Sequence, residues 1–249
     1  MFLPREAARA RPAACVLITR PEPAAHDTAA RVAALGLVPI LAPMLMIRPL
    51  SHGALLAAGV QAVLLTSANA LLGLSAALHG VPVLAVGDAT ADRARAAGFA
   101  DVTSAGRDAE ALAGLVLRRC TLGGGALLLP TARGEGLLLA RRLREARFAV
   151  RRRAVYVAVP QKVFPAAAGV ALSRRMVGTA LFFSPATARS FCRLLRAAMP
   201  AECLAAVDAL VLSAAIAVPL ACLPWRRIRV AARPDQDALL TLLADKIDE

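Results

Sequence analysis

The chain repeats a short pattern in which an apolar run ends in a small polar turn and leads into a helical sequence. Three runs in the first half are echoed in the second: 15–18 by 126–129, 62–65 by 180–183 and, more loosely, 83–86 by 209–212. A buried strand that passes through a turn into a helix is the repeating unit of a parallel sheet. The repetition therefore predicts an α/β fold of two similar domains, each a parallel sheet flanked by helices.

Two extended segments that contain prolines divide the predicted elements into domains. Residues 39–49 and 156–165 are apolar, yet their prolines prevent a continuous helix. We interpret them as two crossings between domains, so that one domain is discontinuous and the other is inserted into it. The predicted boundaries are 13–42 plus 160–249 for the discontinuous domain, 48–154 for the inserted domain, and 43–47 and 155–159 for the two linker segments.

Composition and hydropathy favour a folded protein without a membrane span. Hydrophobic residues make up 58% of the sequence and the mean hydropathy is +0.60, which argues against disorder. The most apolar stretch, 209–225, is short and contains two prolines, so it predicts a buried strand and a broken helix. The N-terminus lacks the apolar core of a secretory signal. Five scattered cysteines without metal spacing predict buried free thiols in a reducing cytoplasm.

A formal net charge of +13 predicts a polyanionic ligand. Lysine occurs only at positions 162 and 246, so nearly all of the positive charge is arginine, which a GC-rich coding bias would also explain. Aromatic residues make up only 4% and do not alternate with arginine, which disfavours a single-strand nucleic-acid site. Binding of a membrane surface or nucleic acid through the arginine run 141–153 stays an alternative.

Small hydroxyl and amide residues follow most of the predicted strands. Such residues cap helix N-termini, whose free N–H groups and positive dipole end bind carboxylate or phosphate. The alternative is that they cap helices and do nothing more. The set comprises Thr19, Thr66, Ser67, Asn69, Thr90, Thr131, Ser184, Thr187 and Ser213. We predict that these turns form an anion-binding surface, with Gly87 allowing the backbone to approach the ligand closely, although a tight turn would also explain this glycine.

Three larger side chains are candidates for direct contact with a ligand. Arg20 and Arg133 stand at equivalent turns of the two halves, and arginine binds carboxylates through paired hydrogen bonds. A surface role for either arginine is the alternative. Tyr156, the only tyrosine, ends the last predicted strand of the inserted domain, where its phenol can donate a proton. It can equally be an aromatic filler at a hinge.

Several chemistries have no support in the sequence. The first strand-to-helix turn, Thr19-Arg20-Pro21-Glu22, has no glycine-rich dinucleotide motif, and no Walker-type phosphate loop occurs. His26, His52 and His79 have neither metal spacing nor a serine or cysteine partner. We therefore expect no cofactor, no metal ion and no covalent nucleophile.

The ordered motifs of the chain resemble the uroporphyrinogen-III synthase family. The matching segments are 17–21, 33–36 with 43–45, 65–70, 85–91 with 97–99, 155–156, 182–187 and 231–234 before the last helix. Each motif alone is weak, but together they follow the family order from about residue 15 to 243. The resemblance implies two α/β domains joined by a two-segment linker, with the active site in the cleft between them.

The implied activity is that of a cofactor-free cyclising lyase in tetrapyrrole (haem, sirohaem or cobalamin) biosynthesis. The substrate is hydroxymethylbilane, a linear tetrapyrrole with eight carboxylates, which closes with loss of water and inversion of ring D. We expect the enzyme to act mainly by positioning and electrostatics. The resemblance also suggests a cytoplasmic monomer that makes at most a transient contact with the preceding pathway enzyme.

Residue roles transfer only where the sequence matches the family. Tyr156 matches the family tyrosine proposed to assist departure of the hydroxyl group. Cleft-lining hydroxyls are matched by Thr66, Ser67, Thr90 and Ser184, whereas Asn69, Arg133 and Ser213 are weaker inferences.

The sequence departs from the family pattern at three turns. Thr131-Ala132-Arg133 stands where a glycine is usual, Arg147 replaces a glycine after a helix, and Ser213-Ala214-Ala215 replaces a glycine-threonine turn. A non-catalytic module that binds an anionic tetrapyrrole or another polyanion is the alternative function.

Overall fold

The computed structural model of the protein describes residues 15–106 and 108–245, which form two compact units. Unit 1 comprises the described residues up to Met46 and from Pro160 onward, and unit 2 comprises Ile47–Val159. Residues 13, 14 and 246–249 of the predicted discontinuous domain, and the N-terminal segment without a predicted signal, lie outside the described residues.

The helices and strands alternate along the chain. In order they are β1 (Cys15–Ile18), α1 (Ala24–Ala34), β2 (Val38–Leu41), β3 (Leu45–Pro49), β4 (Val60–Leu65), β5 (Val83–Ala85), α2 (Asp88–Ala96), β6 (Val102–Ser104), α3 (Ala109–Arg119), β7 (Ala126–Ala132), α4 (Leu137–Glu145), β8 (Val150–Pro160), α5 (Ala166–Ser173), β9 (Val177–Phe182), α6 (Pro185–Ala198), β10 (Asp208–Val211), α7 (Ala214–Leu220), β11 (Arg227–Val230) and α8 (Gln236–Asp245). Short 3-10 helices lie at Ala68–Gly73, Ala76–Leu78 and Ala201–Leu204.

Unit 1 is a five-stranded parallel sheet with helices on both faces. Its strand order is β11-β10-β9-β1-β2, and each neighbouring pair is parallel. Alternate side chains of β1 pack into the hydrophobic cores on opposite faces of the sheet. Leu17 packs with residues of α5, α6 and α7, whereas Ile18 packs with residues of α1 and α8. The continuous apolar runs of the sequence are thus explained, because both faces of each central strand are covered.

Unit 2 contains a six-stranded sheet in the order β3-β8-β7-β4-β5-β6. The pairs from β8 to β6 are parallel. Residues of α3 and α4 pack on one face with Leu64 and Leu127, and residues of α2 and the 3-10 helix Ala68–Gly73 pack on the other with Leu65. The predicted α/β class with parallel sheets flanked by helices is confirmed in both units.

The two units are circular permutations of one strand order. Unit 1 reads β2-β1-β9-β10-β11 across its sheet, and unit 2 reads β8-β7-β4-β5-β6. In this alignment β1 takes the place of β7, β9 that of β4, and β10 that of β5. These are the three pairs whose sequences echo each other. The repetition in the sequence therefore matches positions in the sheets, although the order along the chain differs.

Both segments interpreted as crossings are largely sheet strands. β3 covers Leu45–Pro49, and β8 continues through Tyr156 to Pro160. These two strands are neighbours at one edge of the unit 2 sheet, and the amide of Leu50 donates a hydrogen bond to the carbonyl oxygen of Val155 at 2.9 Å. Pro49 and Pro160 are compatible with this arrangement because they are the last residues of β3 and β8. The predicted linkers 43–47 and 155–159 thus contribute mainly to β3 and β8.

The most apolar stretch of the sequence folds as a strand and a short helix. It contains most of β10 and the whole of α7, which has Pro219 in its interior. Within the described residues, no helix combines the length and the apolar character that a bilayer span requires.

Helices α1, α2, α4 and α5 end in the same hydrogen-bonded turn, in which the residue after the C-cap is left-handed. At the end of α4, the amide of Arg147 donates to the carbonyl of Arg144 at 2.8 Å and that of Phe148 to the carbonyl of Leu143 at 3.0 Å. This pair of bonds is a Schellman motif, which favours glycine at its left-handed position. α1 and α2 use Gly36 and Gly98, whereas α4 and α5 use arginines with φ of 68° and 55°. Arg147, where the family pattern has glycine, is therefore a strained residue.

We expect Arg147→Gly to stabilise the protein by roughly 1 kcal/mol, because glycine adopts the left-handed conformation without a steric cost and the exposed arginine side chain is dispensable. Urea unfolding measured by circular dichroism gives the change in the free energy of unfolding. The matched control is Arg141→Gly in the exposed interior of α4, which should lower stability by about 1 kcal/mol. A loss of stability in both variants would contradict the strain at Arg147.

Candidate functional site

In each sheet, the strand order reverses at one central pair of strands. From one strand of the pair the chain continues toward one edge of the sheet, and from the other strand it continues toward the opposite edge. In unit 1 this pair is β1 and β9, and in unit 2 it is β4 and β7. The connections that leave the two strands of a pair pass over opposite faces of the sheet, which opens a crevice at their carboxyl ends where ligands of doubly wound folds bind. The turns that follow these four strands contain most of the predicted site residues, namely Arg20, Thr66, Ser67, Asn69, Arg133, Ser184 and Thr187.

Tyr156 meets the turn after β4. Its hydroxyl lies near the side chains of Ser67 and Asn69, which lower the pKa of the phenol as hydrogen-bonding neighbours, and only 4% of the residue is exposed. Ser67 also caps the 3-10 helix, since its Oγ accepts a hydrogen bond from the amide of Asn69 at 3.2 Å. The structure thus brings three predicted site residues into one cluster.

The ring of Tyr156 reaches this cluster by crossing β7. Tyr156 lies on β8, which β7 separates from β4, and neighbouring strands are about 4.8 Å apart. The residue of β7 that pairs with Tyr156 is Ala132. Because its side chain is a single methyl group, the ring has space to extend over β7 toward Ser67.

The environment keeps the phenol of Tyr156 protonated. Burial raises its pKa above the usual value, and the nearby Glu135 carboxylate adds to this effect. The hydrogen bonds with Ser67 and Asn69 act in the opposite direction, because they stabilise the phenolate, but they do not outweigh burial. At neutral pH the side chain is a hydrogen-bond and proton donor.

The other predicted residues of unit 2 line the same edge of the sheet. Thr66 is half-buried directly after β4. Arg133 is exposed just after β7, and its amide donates to the carbonyl oxygen of Tyr156 at 2.8 Å. Thr131, in contrast, is buried, and its hydroxyl donates to the carbonyl of Glu135 at 3.3 Å. Arg133 therefore lies next to the tyrosine cluster, while Thr131 holds the turn together.

Gly87 precedes α2 with an extended backbone. Its φ is −162°, which any residue adopts, so the alternative of a tight turn that requires glycine is wrong. A Cβ at this position would meet no other atom within 4 Å. Thr90 lies half-buried in the following turn, and its amide donates to the carbonyl oxygen of Gly87 at 3.1 Å. The space beside Gly87, at the N-cap of α2, is thus open.

In unit 1, Ser184 in the turn after β9 caps the start of α6 with its side chain. The Oγ of Ser184 accepts a hydrogen bond from the amide of Thr187 at 3.2 Å and lies 2.6 Å from the Thr187 hydroxyl. Thr187 is only 1% exposed, so its buried hydroxyl helps to fix the position of the Ser184 side chain. Ser213 occupies the corresponding position before α7 without a side-chain capping bond.

Arg20 is held by residues that the sequence analysis missed. Its Nη1 donates to Thr28 Oγ1 at 3.2 Å and to Gln236 Oε1 at 2.7 Å, and its guanidinium lies 4.4 Å from the centre of the Phe183 ring. These partners come from α1, α8 and the position just after β9. Only Phe183 had a sequence signal, since it lies within a family motif, and nothing in the sequence connects Gln236 to Arg20.

Burial gives the Arg20 guanidinium an unusual environment. The loss of hydration lowers its pKa to about 10, and the charge of Asp27 opposes this shift. The side chain nevertheless remains cationic at neutral pH. A cation that has lost water gains more from a bound carboxylate than a fully hydrated one does, because the local dielectric constant is lower.

Comparison with known proteins gives a consistent result. The family model described as "HEM4: Uroporphyrinogen-III synthase HemD" matches residues 26–241. No curated protein matches the chain significantly. Among solved structures, the uroporphyrinogen-III synthetase of Helicobacter pylori is 17% identical with a TM-score of 0.59, over 93% of this chain and 98% of that one. A mutant uroporphyrinogen III synthase of Thermus thermophilus is 19% identical over 95% and 100%, with a TM-score of 0.49. The first likeness supports the two-domain fold.

We expect Tyr156 to titrate above the usual tyrosine pKa of about 10. Because it is the only tyrosine, the ultraviolet absorbance of phenolate reports this residue alone. Because the pKa is raised in the folded state, the neutral phenol makes its full contribution to the free energy of unfolding below pH about 10. This contribution is lost as the pH rises through the folded-state pKa.

Two variants test the cause of this shift. Ser67→Ala should raise the midpoint further, since it removes a hydrogen bond that favours phenolate, whereas Ser75→Ala at an exposed serine should not change it. A folded-state midpoint at or below the value measured in denaturant would contradict the described environment.

Proposed function

Because the chain belongs to the uroporphyrinogen-III synthase family, we propose that it closes hydroxymethylbilane at the strand-end turns that carry Tyr156 and Arg20. The chain is an enzyme of tetrapyrrole biosynthesis, a cyclising lyase that forms uroporphyrinogen III with loss of water and inversion of ring D. The observation that carries the residue assignment is the buried phenol of Tyr156 near Ser67 and Asn69 at the carboxyl edge of the unit 2 sheet. We further propose that it works as a cytoplasmic monomer.

In the proposed mechanism, Tyr156 assists departure of the substrate hydroxyl. The phenol donates its proton to the leaving hydroxyl, which departs as water and leaves a phenolate and an electrophilic azafulvenium cation. Ring closure then releases a proton from the attacked pyrrole, which restores the phenol and balances the reaction. Ser67 and Asn69 orient the phenol and stabilise the transient phenolate by hydrogen bonds.

Arg20 and the helix N-termini bind the carboxylates of the substrate in this proposal. The guanidinium forms charge-assisted hydrogen bonds, and its position is fixed by Thr28, Gln236 and Phe183. The first turns of α2 and α6, after Gly87 and Ser184, offer positively polarised N–H groups. Groups that hold many carboxylates at once fold the flexible substrate, so that the reactive carbon meets ring D instead of closing to the symmetric isomer.

We expect Tyr156→Phe to lower turnover on the order of 100-fold, the range for loss of a positioned proton donor. The free energy of unfolding should fall by only about 1 kcal/mol, since one hydroxyl is removed and the ring stays. Purified protein coupled to hydroxymethylbilane production, followed by chromatographic separation of the isomers, measures the turnover. Unchanged turnover would remove Tyr156 as the proton donor.

The same assay on the unmodified chain tests the function itself. The type III isomer should exceed the spontaneous background, which gives the symmetric isomer. A chain that binds hydroxymethylbilane without forming the type III isomer would be the non-catalytic module instead.

We expect Arg20→Gln to raise KM on the order of tenfold to a hundredfold, because hydrogen bonds to charged groups contribute about 1.5–3 kcal/mol. Turnover at saturating substrate should change less, since the guanidinium binds carboxylates that do not react. Arg31→Gln is the matched control, because Arg31 is an exposed arginine of α1 paired with Asp237. Equal effects of both substitutions would assign the loss to net charge and contradict a specific role of Arg20.

A further inference from the structure

Two of the five cysteines, Cys192 and Cys222, share one hydrogen-bond acceptor. The Sγ of Cys192 donates to the carbonyl oxygen of Pro219 at 3.2 Å, and the Sγ of Cys222 donates to the same oxygen at 3.3 Å. Both sulfur atoms thus lie around one oxygen atom, and the neighbouring Cys222 raises the pKa of Cys192. The expectation of buried thiols is confirmed for Cys15 and for Cys192, which is 7% exposed. It is wrong for Cys120 and Cys203, which are half-buried, and for Cys222, which is exposed.

The end of α7 explains why both thiols meet at this point. α7 ends at Leu220, so the carbonyl of Pro219 is among the last four of the helix and has no partner within it. Cys192 approaches this carbonyl from α6, which packs against α7, and Cys222 approaches it from the segment that follows α7. Because both thiols hydrogen-bond with the same carbonyl group at the end of α7, a buried cysteine and an exposed cysteine lie close together.

We propose that Cys192 and Cys222 form a redox-active thiol pair that a peroxide converts into an intramolecular disulfide. The thiolate of Cys222 attacks one peroxide oxygen, the O–O bond breaks, and hydroxide leaves and becomes water. Cys222 is then a sulfenic acid. The sulfur of Cys192 loses its proton and attacks Sγ of Cys222, so that the S–S bond forms, the S–O bond breaks and a second water leaves. The two thiols lose two electrons and the peroxide gains them.

The order of these steps follows from the surroundings of each thiol. Burial and the neighbouring Cys222 raise the pKa of Cys192 to about 12, so its thiol is protonated until the exposed Cys222 has reacted. Arg196 opposes this shift, and its Nη2 donates to the carbonyl oxygen of Cys222 at 3.4 Å, which holds a positive charge beside the pair. Cys222 is thus the attacking thiol and Cys192 the resolving one.

Cys203 provides a matched control in the same unit. It is half-buried, and its Sγ lies 3.6 Å from the Sδ of Met199, in a separate contact. The proposal does not depend on the catalytic roles of Tyr156 or Arg20, because it uses neither of these residues nor the side chains that contact them.

The test uses the full-length, fully reduced chain treated with a small excess of hydrogen peroxide. Free thiols in the denatured product should fall from five to three, since the pair consumes two. Tryptic digestion without reductant should give the peptide 190–193 linked to the peptide 197–226, two hydrogen atoms lighter than their sum, and dithiothreitol should release it. Because the second peptide contains both Cys203 and Cys222, the variants identify the partner.

Cys203→Ser should keep the cross-link and Cys222→Ser should abolish it, with both variants retaining the unmodified melting temperature. The proposal is overturned if the link persists in Cys222→Ser, if it forms between chains, or if Cys222 is oxidised to sulfinic acid while Cys192 stays a thiol.

Discussion

The candidate site depends on one constraint, the parallel alignment of strands. All strands of a parallel sheet end at the same edge, so turns that are far apart in the sequence arrive side by side. Ser67 follows β4 and Tyr156 lies on β8, with β7 between them. The Tyr156 hydroxyl and the Ser67 side chain can interact across β7, because β7 presents only the methyl group of Ala132 at the register of Tyr156. A larger side chain there would separate the phenol from the group that orients it.

The two units are related by circular permutation, which explains why their strand sequences are similar but occur in a different order along the chain. A circular permutation preserves which strands are neighbours, and it therefore preserves the crevice between the two central strands. In unit 1 this crevice lies beside Arg20 and the Ser184 cap, and in unit 2 beside Ser67. The same local chemistry, small hydroxyl caps on polarised helix starts, occurs at both positions because the same backbone geometry requires it.

The abundant arginines of the chain differ greatly in what they contribute. Arg20 is largely buried and is held in place by an aromatic ring and two side-chain oxygens. Its charge therefore has a fixed position and is only weakly screened by water. Arg147 and Arg175 occupy left-handed positions that favour glycine and cost stability. Pairs such as Arg141 with Glu145 are exposed and contribute little, since water screens them. Net charge alone therefore does not identify the arginines that bind a ligand.

The sequence by itself determined the α/β class, the repeated strand-turn-helix units, the family and the polar turns that follow the strands, because these depend on local periodicity and on short motifs. Only the tertiary structure decided that the supposed crossing segments pair as β3 and β8, that Gln236 and Phe183 hold Arg20, and that Cys192 and Cys222 share the carbonyl of Pro219. These contacts join residues far apart in the chain through strand order and helix packing, and a single sequence carries no local signal for either.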